Sequence, residues 1–454
     1  MIPTSRFHVC VEGDNTIIRK GETPCVIGRD VQVDAEALED YCFQLLSERE
    51  YELTILAGVI AFADRGVRRL HSEGWARRIE IVMPVRKPEE WQVCSAALHE
   101  LLQFLTGDYW QITFTNRRVL WGNTRQDIFP LGRGAFVVVP FSSGLDSFAQ
   151  SQLLKLESSR LTPIRITAWN RGLAGQRDWK TDPDGTRYRR VSIPIRMSTD
   201  NHPEPSYRTR SFLFNVFAGI AAHLAGAECV IIPENGQGSL GPSIVPFGAE
   251  SPQRGSHPGL TRKIGEFLGL VLGTPVCFQH PQLWRTKGEV LRILKQENLL
   301  GDWMATTSCP RDRRDVNLNR KTVHCGVCAG CLLRRAAAYV NDLAEPENTY
   351  LWRDLEATTL ADAIHPDSRR KTRANDLDIA NHGVLVMTEL AKWADSSDAD
   401  PLVLQCAFEI SGAESMAVVL ADLKRLLKAH KEEWARFRNH FGPQSWINSN
   451  FAFL

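Results

Sequence analysis

Apolar positions along this chain switch repeatedly between a two-residue and a 3.6-residue period, the mark of strands alternating with helices. Residues 7–11 and 16–18 predict a short hairpin, and residues 35–70 a helical stretch broken near Glu48, Arg49 and Glu50. Residues 79–83 have strand character that Pro84 is expected to end, 91–105 an amphipathic helical pattern, and 110–115 a further strand. Residues 1–130 thus read as an α/β domain of their own. They hold no loop, acid pair or metal spacing that carries chemistry, so a folding or partner-binding role is expected there.

After a turn at Gly132-Arg133-Gly134, a β-branched run at 136–140 stops at small residues, and a helical pattern follows through Phe148, Leu153, Leu154 and Leu156. Strands are expected at 164–169 and 191–195, joined by the polar stretch 170–190, then a helix at 210–225 and a strand at 229–233. A helix at 261–272 and a strand at 275–278 close the series. Strands alternating with helices at this rhythm predict a parallel sheet covered on both faces. Ligands in such sheets lie beyond the carboxyl ends of strands. From residue 343 onward the pattern is mostly helical, with Met416, Val419, Leu420, Leu423, Leu426 and Leu427 on one stripe. The division expected is 1–130, 131–342 and a helical extension over 343–454, the last packed on the second domain or on a partner.

The turn itself is Ser142-Ser143-Gly144-Leu145-Asp146-Ser147. A small-residue loop that opens a helix aims backbone N–H groups and the positive helix end at one place, which favours an anion. Gly144 admits a phosphate close to the backbone, and Ser142 and Ser147 add hydroxyl donors. A carboxylate at Asp146 beside phosphates is best explained by Mg²⁺ held on a pyrophosphate. No Gly-Lys-Ser/Thr follows, so this is not a Walker loop. An ordinary capped strand–helix turn would also suit these six residues, and the decision rests on chemistry further along.

Two places supply it. Trp284-Arg285-Thr286-Lys287-Gly288-Glu289-Val290 opens a helix in which Thr286 and Glu289 have capping-box spacing. Lys287 puts a cation in the first turn, against the helix dipole, unless a phosphate or carboxylate lies near it. Further on, Cys309 is followed by Cys325, Cys328 and Cys331. Overlapping C-x-x-C steps bring three sulfurs to one turn and the long loop returns the fourth, a closed tetrahedral zinc set. Gly326 and Gly330 are expected to relieve crowding. His324 is a bystander, and an iron–sulfur cluster is disfavoured because no ferredoxin spacing is present.

Composition limits the rest. Eleven cysteines, an odd number, argue against a disulfide framework, and the scattered seven suit small buried hydrophobes. A formal net charge of +1 gives no signal for bulk adhesion to nucleic acid or to anionic membrane. The longest apolar run, 53–63, is too short to span a bilayer, and the first residues lack the apolar core of a signal peptide, so a cytoplasmic protein is expected.

The loop followed by Cys…Cys-x-x-Cys-x-x-Cys resembles the 7-cyano-7-deazaguanine synthase (QueC) family of N-type ATP pyrophosphatases, whose usual loop is Ser-Gly-Gly-x-Asp-Ser. The likeness covers roughly residues 135–342. Ser143 stands where the family has its first glycine. Tyr207-Arg208-Thr209-Arg210-Ser211-Phe212-Leu213 is similar to the family's Gly-Arg-Asn-x-x-Phe-Leu, and Thr286-Lys287-Gly288-Glu289 to its Ser/Thr-Lys-x-Glu. Gly175-Gln176-Arg177 is similar to part of its Tyr-Gly-Gln-Arg. The resemblance implies a Rossmann-like PP-loop core that uses ATP and Mg²⁺, braced by structural Zn²⁺. It implies that Ser142, Ser143, Gly144, Leu145, Asp146 and Ser147 bind ATP. Asp146, Arg208, Lys287 and Glu234 become the catalytic candidates.

The reaction implied is activation of the carboxylate of 7-carboxy-7-deazaguanine as an acyl-adenylate, with ammonia as the usual acceptor. Two departures change the picture. The flanking domains are not needed to make a nitrile, and Glu234-Asn235-Gly236 with Ser256-His257-Pro258 resembles enlarged QueC-like proteins of bacterial anti-phage systems. In that branch the activated base can pass to a partner protein's amine. Three functions are therefore carried forward: a ligase with a protein acceptor; a plain synthase feeding queuosine-type tRNA modification; and an ATP-binding scaffold without activity. Asn235-Gly236 also suits a simple turn, and His257 a solvated loop position.

Overall fold

A computed structural model describes residues 4–11, 18–36, 38–39, 44–70, 74–117, 136–157, 162–169, 190–198, 202–245, 250–311, 315–397, 400–412 and 414–449. The stretches expected at Gly132-Arg133-Gly134 and Gly175-Gln176-Arg177 lie outside them. The chain forms two compact units, residues 1–142, 154–232 and 246–281 in one and 143–153, 233–245 and 282–454 in the other.

The first unit holds a ten-stranded, mostly parallel sheet. Its strands are β1 (Thr4–Val11), β2 (Glu22–Ile27), β3 (Val31–Val33), β4 (Arg78–Val85) and β5 (Tyr109–Asn116) from the N-terminal part. The later part adds β6 (Phe136–Pro140), β7 (Thr162–Trp169), β8 (Arg190–Met197), β9 (Val230–Ile231) and β10 (Phe278–Gln279). Their spatial order is β10-β9-β6-β7-β8-β3-β2-β1-β4-β5. One antiparallel ladder, β3 with β8 (Gln32 opposite Arg196), joins the two sets, so the N-terminal strands extend the same sheet. Within the later set, β7 and β9 flank β6 on opposite sides, which makes β6/β9 the point where strand order reverses.

The hairpin expected between 7–11 and 16–18 falls in part outside the described residues; β1 itself pairs in parallel with β2 over Arg6–Val11 and with β4 over Thr4–His8. Another expectation changes for a physical reason. Pro84 does not end β4, which runs to Val85. The β1 ladder stops at Val82, and beyond it β4 is paired only with β5, so an edge tolerates the missing N–H.

The apolar run at 53–63 becomes the middle of helix α1 (Glu48–Gly66), started by a capping box between Ser47 and Glu50 and buried nearly all round. A Cβ at its Gly58 would lie 2.7 Å from Val31 Cγ1, so glycine lets the helix close on β3. Among the described residues no single helix is long and apolar enough to cross a membrane.

The second unit is mainly helical. Its helices include Gly236–Ile244, Lys287–Gln296, Ala329–Tyr339, Ala374–Lys392, Pro401–Ser411 and Met416–Arg438. The expected stripe is inside: Val419, Leu423, Leu426 and Leu427 are buried, and the same face continues through His430 and Trp434. It packs with Leu240 and Ile244, so the C-terminal helices cover the helix that starts after Asn235.

Candidate functional site

Loops leaving the carboxyl ends of neighbouring strands β6 and β9 carry residues 142–147 and 233–235. The helix Leu145–Glu157 starts at once, with the Phe148 N–H donating to the Gly144 carbonyl at 3.1 Å. Leu145, Phe148, Ala149 and Leu153 anchor it against Val290, Leu291 and Leu294. Ser142 and Ser143 are exposed, Gly144 partly so, and Ser147 is buried.

Asp146 is the meeting point. Its Oδ2 is ion-paired with Lys287 Nζ, and its Oδ1 accepts from Asn235 Nδ2 at 2.8 Å. The anion demanded by a lysine in the first turn of Lys287–Gln296 is therefore the Asp146 carboxylate. Asp146 retains 20% side-chain exposure against 6% for Lys287, so a ligand reaches the carboxylate first. Asn235 also caps its own helix, its Oδ1 accepting from the Gly238 N–H at 3.2 Å. The two bonds use opposite ends of the amide and so set its orientation.

Glu234 adds a second carboxyl. Burial, then the negative charge of Asp146, pushes it up to about 8, while Lys287 pulls the other way. Gly238 makes room for Glu234, while Gly236 admits neighbouring backbone. A Cβ at Gly238 would sit 2.0 Å from Glu234 Oε1, and one at Gly236 2.0 Å from the Leu283 carbonyl oxygen.

Lys287 is held from behind. Thr286 and Glu289 form the expected capping box, the Thr286 hydroxyl accepting from the Glu289 N–H at 3.0 Å and Glu289 Oε2 from the Thr286 N–H at 2.8 Å. The Lys287 N–H donates to Gln237 Oε1 at 2.7 Å, and Gln237 Nε2 donates to His430 Nδ1 at 2.8 Å. His430 Nε2 in turn donates to the Met387 carbonyl at 2.8 Å. A carbonyl only accepts, so His430 carries its proton on Nε2. Burial lowers its pKa to about 4. Nothing in the local sequence marks Gln237. His430 was detectable as a polar residue on an apolar helical stripe.

Arg208 lies in the other compact unit. Its guanidinium stacks 4.5 Å from the Trp75 ring centroid, donates to Glu250 Oε2 at 2.8 Å and to the Ser251 carbonyl at 3.2 Å. His257 is fully buried, and its Nδ1 accepts from the Gly259 N–H at 3.1 Å, capping the helix Pro258–Leu272. Pro258 at the first helical position needs no N–H partner, so the histidine turns inward to cap the next one.

The four cysteines converge. The sulfurs of Cys309, Cys325, Cys328 and Cys331 all lie within 4.8 Å of one another, with Cys325 and Cys331 3.7 Å apart. A tetrahedron with Zn–S bonds of ~2.3 Å has edges of ~3.75 Å, so the cluster is compatible with zinc. Backbone N–H groups of Cys325 and Cys328 donate to the sulfurs of Cys309 and Cys325, each at 3.3 Å, which favours thiolate over thiol. Gly326 has φ +90°, and a Cβ there would lie 2.4 Å from the Trp352 carbonyl oxygen. At Gly330 a Cβ would lie 2.8 Å from the Ser308 carbonyl oxygen. The glycines thus make room for neighbouring backbone, more than for the sulfurs. His324 is turned away from ligation: its Nε2 accepts from the Ser308 N–H at 3.1 Å.

The cluster and the loop share one strap. Thr307 N–H donates to the Ser143 carbonyl at 2.7 Å, two residues before Cys309. The fully buried Arg334, on the helix that carries Cys331, donates to the Thr306 carbonyl at 2.9 Å and to its hydroxyl at 2.8 Å. Holding the cysteines together therefore also holds one side of the loop.

No family model and no curated protein matches this chain.

Proposed function

We propose that this protein is an ATP-dependent adenylating ligase resembling the QueC family, which activates 7-carboxy-7-deazaguanine and passes it to an amine of a partner protein in an anti-phage system. The observation that carries the proposal is the convergence of Asp146, Glu234, Asn235 and Lys287 immediately behind a Ser-Ser-Gly turn. The turn follows a strand at the reversal point of a parallel sheet, where such sheets bind ligands.

The carboxyls of Asp146 and Glu234 share one spot, and once Glu234, whose pKa burial and then the charge of Asp146 raise, has lost its proton, the pair suits a divalent cation. Asp146 would hold Mg²⁺ on the pyrophosphate. Lys287 would exchange that carboxylate for a phosphate oxygen, and residues 142–147 would cradle the β- and γ-phosphates through N–H groups and hydroxyls. Zinc, with all four ligands from cysteine, leaves no open position and serves structure.

A substrate carboxylate oxygen attacks the α-phosphorus, the bond to the bridging oxygen breaks, and pyrophosphate leaves with the electron pair. The acceptor nitrogen then attacks the acyl carbon and displaces AMP. Glu234, its pKa raised to about 8, is suited in its ionised form to take the amine proton.

The test is incubation with ATP, Mg²⁺ and 7-carboxy-7-deazaguanine, followed by chromatography for AMP and pyrophosphate. Candidate partners are added and weighed by intact mass, with an ammonium arm analysed for amide and nitrile. Formation of AMP that Asp146→Asn abolishes is the expected result. Absence of AMP with any carboxylate sinks the enzyme function, and product in the ammonium arm alone assigns the plain synthase.

A further inference from the structure

A cavity of about 420 Å³ lies in the second unit, lined by Trp284, Arg285, Glu289, Arg292, Ile293 and Arg425. That size is within the range of small-molecule sites. Its lining sets three guanidinium groups against one carboxylate, and the carboxylate is already engaged. Glu289 Oε1 pairs with Arg425 Nη1 at 2.7 Å, and its Oε2 accepts the Thr286 N–H. Arg285 donates at 2.9 Å to the neutral Gln282 Oε1. Among the described residues no carboxylate forms an ion pair with Arg285 or Arg292, and both are exposed. Asp422 and Glu433 act on Arg425 from nearby, and Glu289 and Glu433 act on Arg292, but of these only Glu289 lines the cavity.

Three guanidinium groups against one lining carboxylate leave a positive balance beside a partly buried indole, which suits an aromatic anion. Guanidinium forks match phosphate oxygens in pairs, and an indole face stacks on a flat base. We propose that this cavity is a second, non-catalytic site for a nucleoside monophosphate, with the base on Trp284 and the phosphate between Arg285 and Arg292. Its wall is the segment that leads into Lys287. The Trp284 carbonyl accepts from Arg425 and the Arg285 carbonyl from the Gly236 N–H, so an occupant would bear on the backbone that also fixes Asn235 and Lys287.

The probe is AMP, titrated calorimetrically against the Asp146→Asn protein so that the Asp146 site contributes little. Ribose 5-phosphate and adenosine serve as the half-ligands. Saturable AMP binding is expected, weakened at least tenfold by Arg292→Glu, largely kept by Arg292→Lys, and weaker for each half-ligand. Arg292 is exposed and makes no direct ion pair with a described residue, though Glu289 and Glu433 lie within its field. Circular dichroism therefore checks that the charge reversal folds, and Arg292→Gln serves as the milder variant, expected to weaken AMP as well. Trp284→Leu should weaken AMP more than ribose 5-phosphate. No saturable binding, or binding indifferent to Arg292→Glu, overturns the proposal. Equal affinity for AMP and inorganic phosphate also overturns it, because the indole would then contribute nothing.

Discussion

At the residue scale, two carboxyls lie side by side, and the surroundings raise the pKa of one of them. Partial burial, then the negative charge of Asp146, pushes the Glu234 carboxyl up to about 8. A protonated carboxyl cannot ligate a cation, so Mg²⁺ affinity measured by calorimetry should rise as pH climbs through about 8. Glu234→Gln should flatten that dependence; an affinity that is level or falling across this range would count against a shared cation. Stability runs the opposite way. The unfolded chain releases this proton at an ordinary carboxyl's pKa, so the folded state binds more protons between there and about 8 and loses stability as pH rises through that window. Denaturant titrations of the Mg²⁺-free protein across this window check the sign, and Glu234→Gln should remove that slope.

Asp146 and Lys287 are ion-paired in the structure, but that partnership was not readable in the sequence. One follows β6 and the other starts a helix more than a hundred positions later, and no periodicity links them. The dipole argument demanded an anion near Lys287 without saying which one. Glu234 showed the converse: its type was plain, but its protonation depends on what buries it.

At the scale of elements, the helices beyond residue 343 act on the site through one hydrogen-bonded chain. His430→Ala strands the buried Gln237 amide and should cost about 1–3 kcal/mol, read from denaturant midpoints. If the chain positions Lys287, the same change should lower kcat for AMP formation more than it raises the KM for ATP. His430→Gln, which can both accept and donate, should restore part of the rate. Equal losses in both variants would assign His430 to packing alone.

The cysteine knuckle is the other element with reach. Gly326→Ala asks a side chain to adopt φ +90° against a backbone oxygen, and should destabilise by more than the ~1–2 kcal/mol of a left-handed residue alone. Bound zinc can supply ~10–16 kcal/mol of apparent folding energy in such sites. Stripping the metal should therefore release the strap at residues 306–309, and with it the carbonyl contact to Ser143. Hydrogen exchange would register this as lost protection near residues 143–147 and 325–334. Exchange unchanged at the loop would separate metal from loop.

At the scale of the molecule, each unit has its own core. One gathers around the parallel sheet and α1; the others join the cysteines, the loop-bearing helix and the C-terminal helices. Chelation should accordingly leave amides of β4 and β5 protected while the second unit exchanges, which a residue-resolved exchange map checks.

The sequence alone determined the α/β alternation, the four-cysteine set, the capping box at Thr286 and the start of a helix behind Ser142–Ser147, because each depends on neighbours a few positions apart. Only the tertiary structure decided that β3 joins β8, that β1 lies inside the sheet, and that Asp146 receives Lys287 and Asn235. It also decided that the surroundings of Glu234 raise its pKa. Strand order, ion pairing and burial arise between segments distant along the chain, where local period and propensity carry no information.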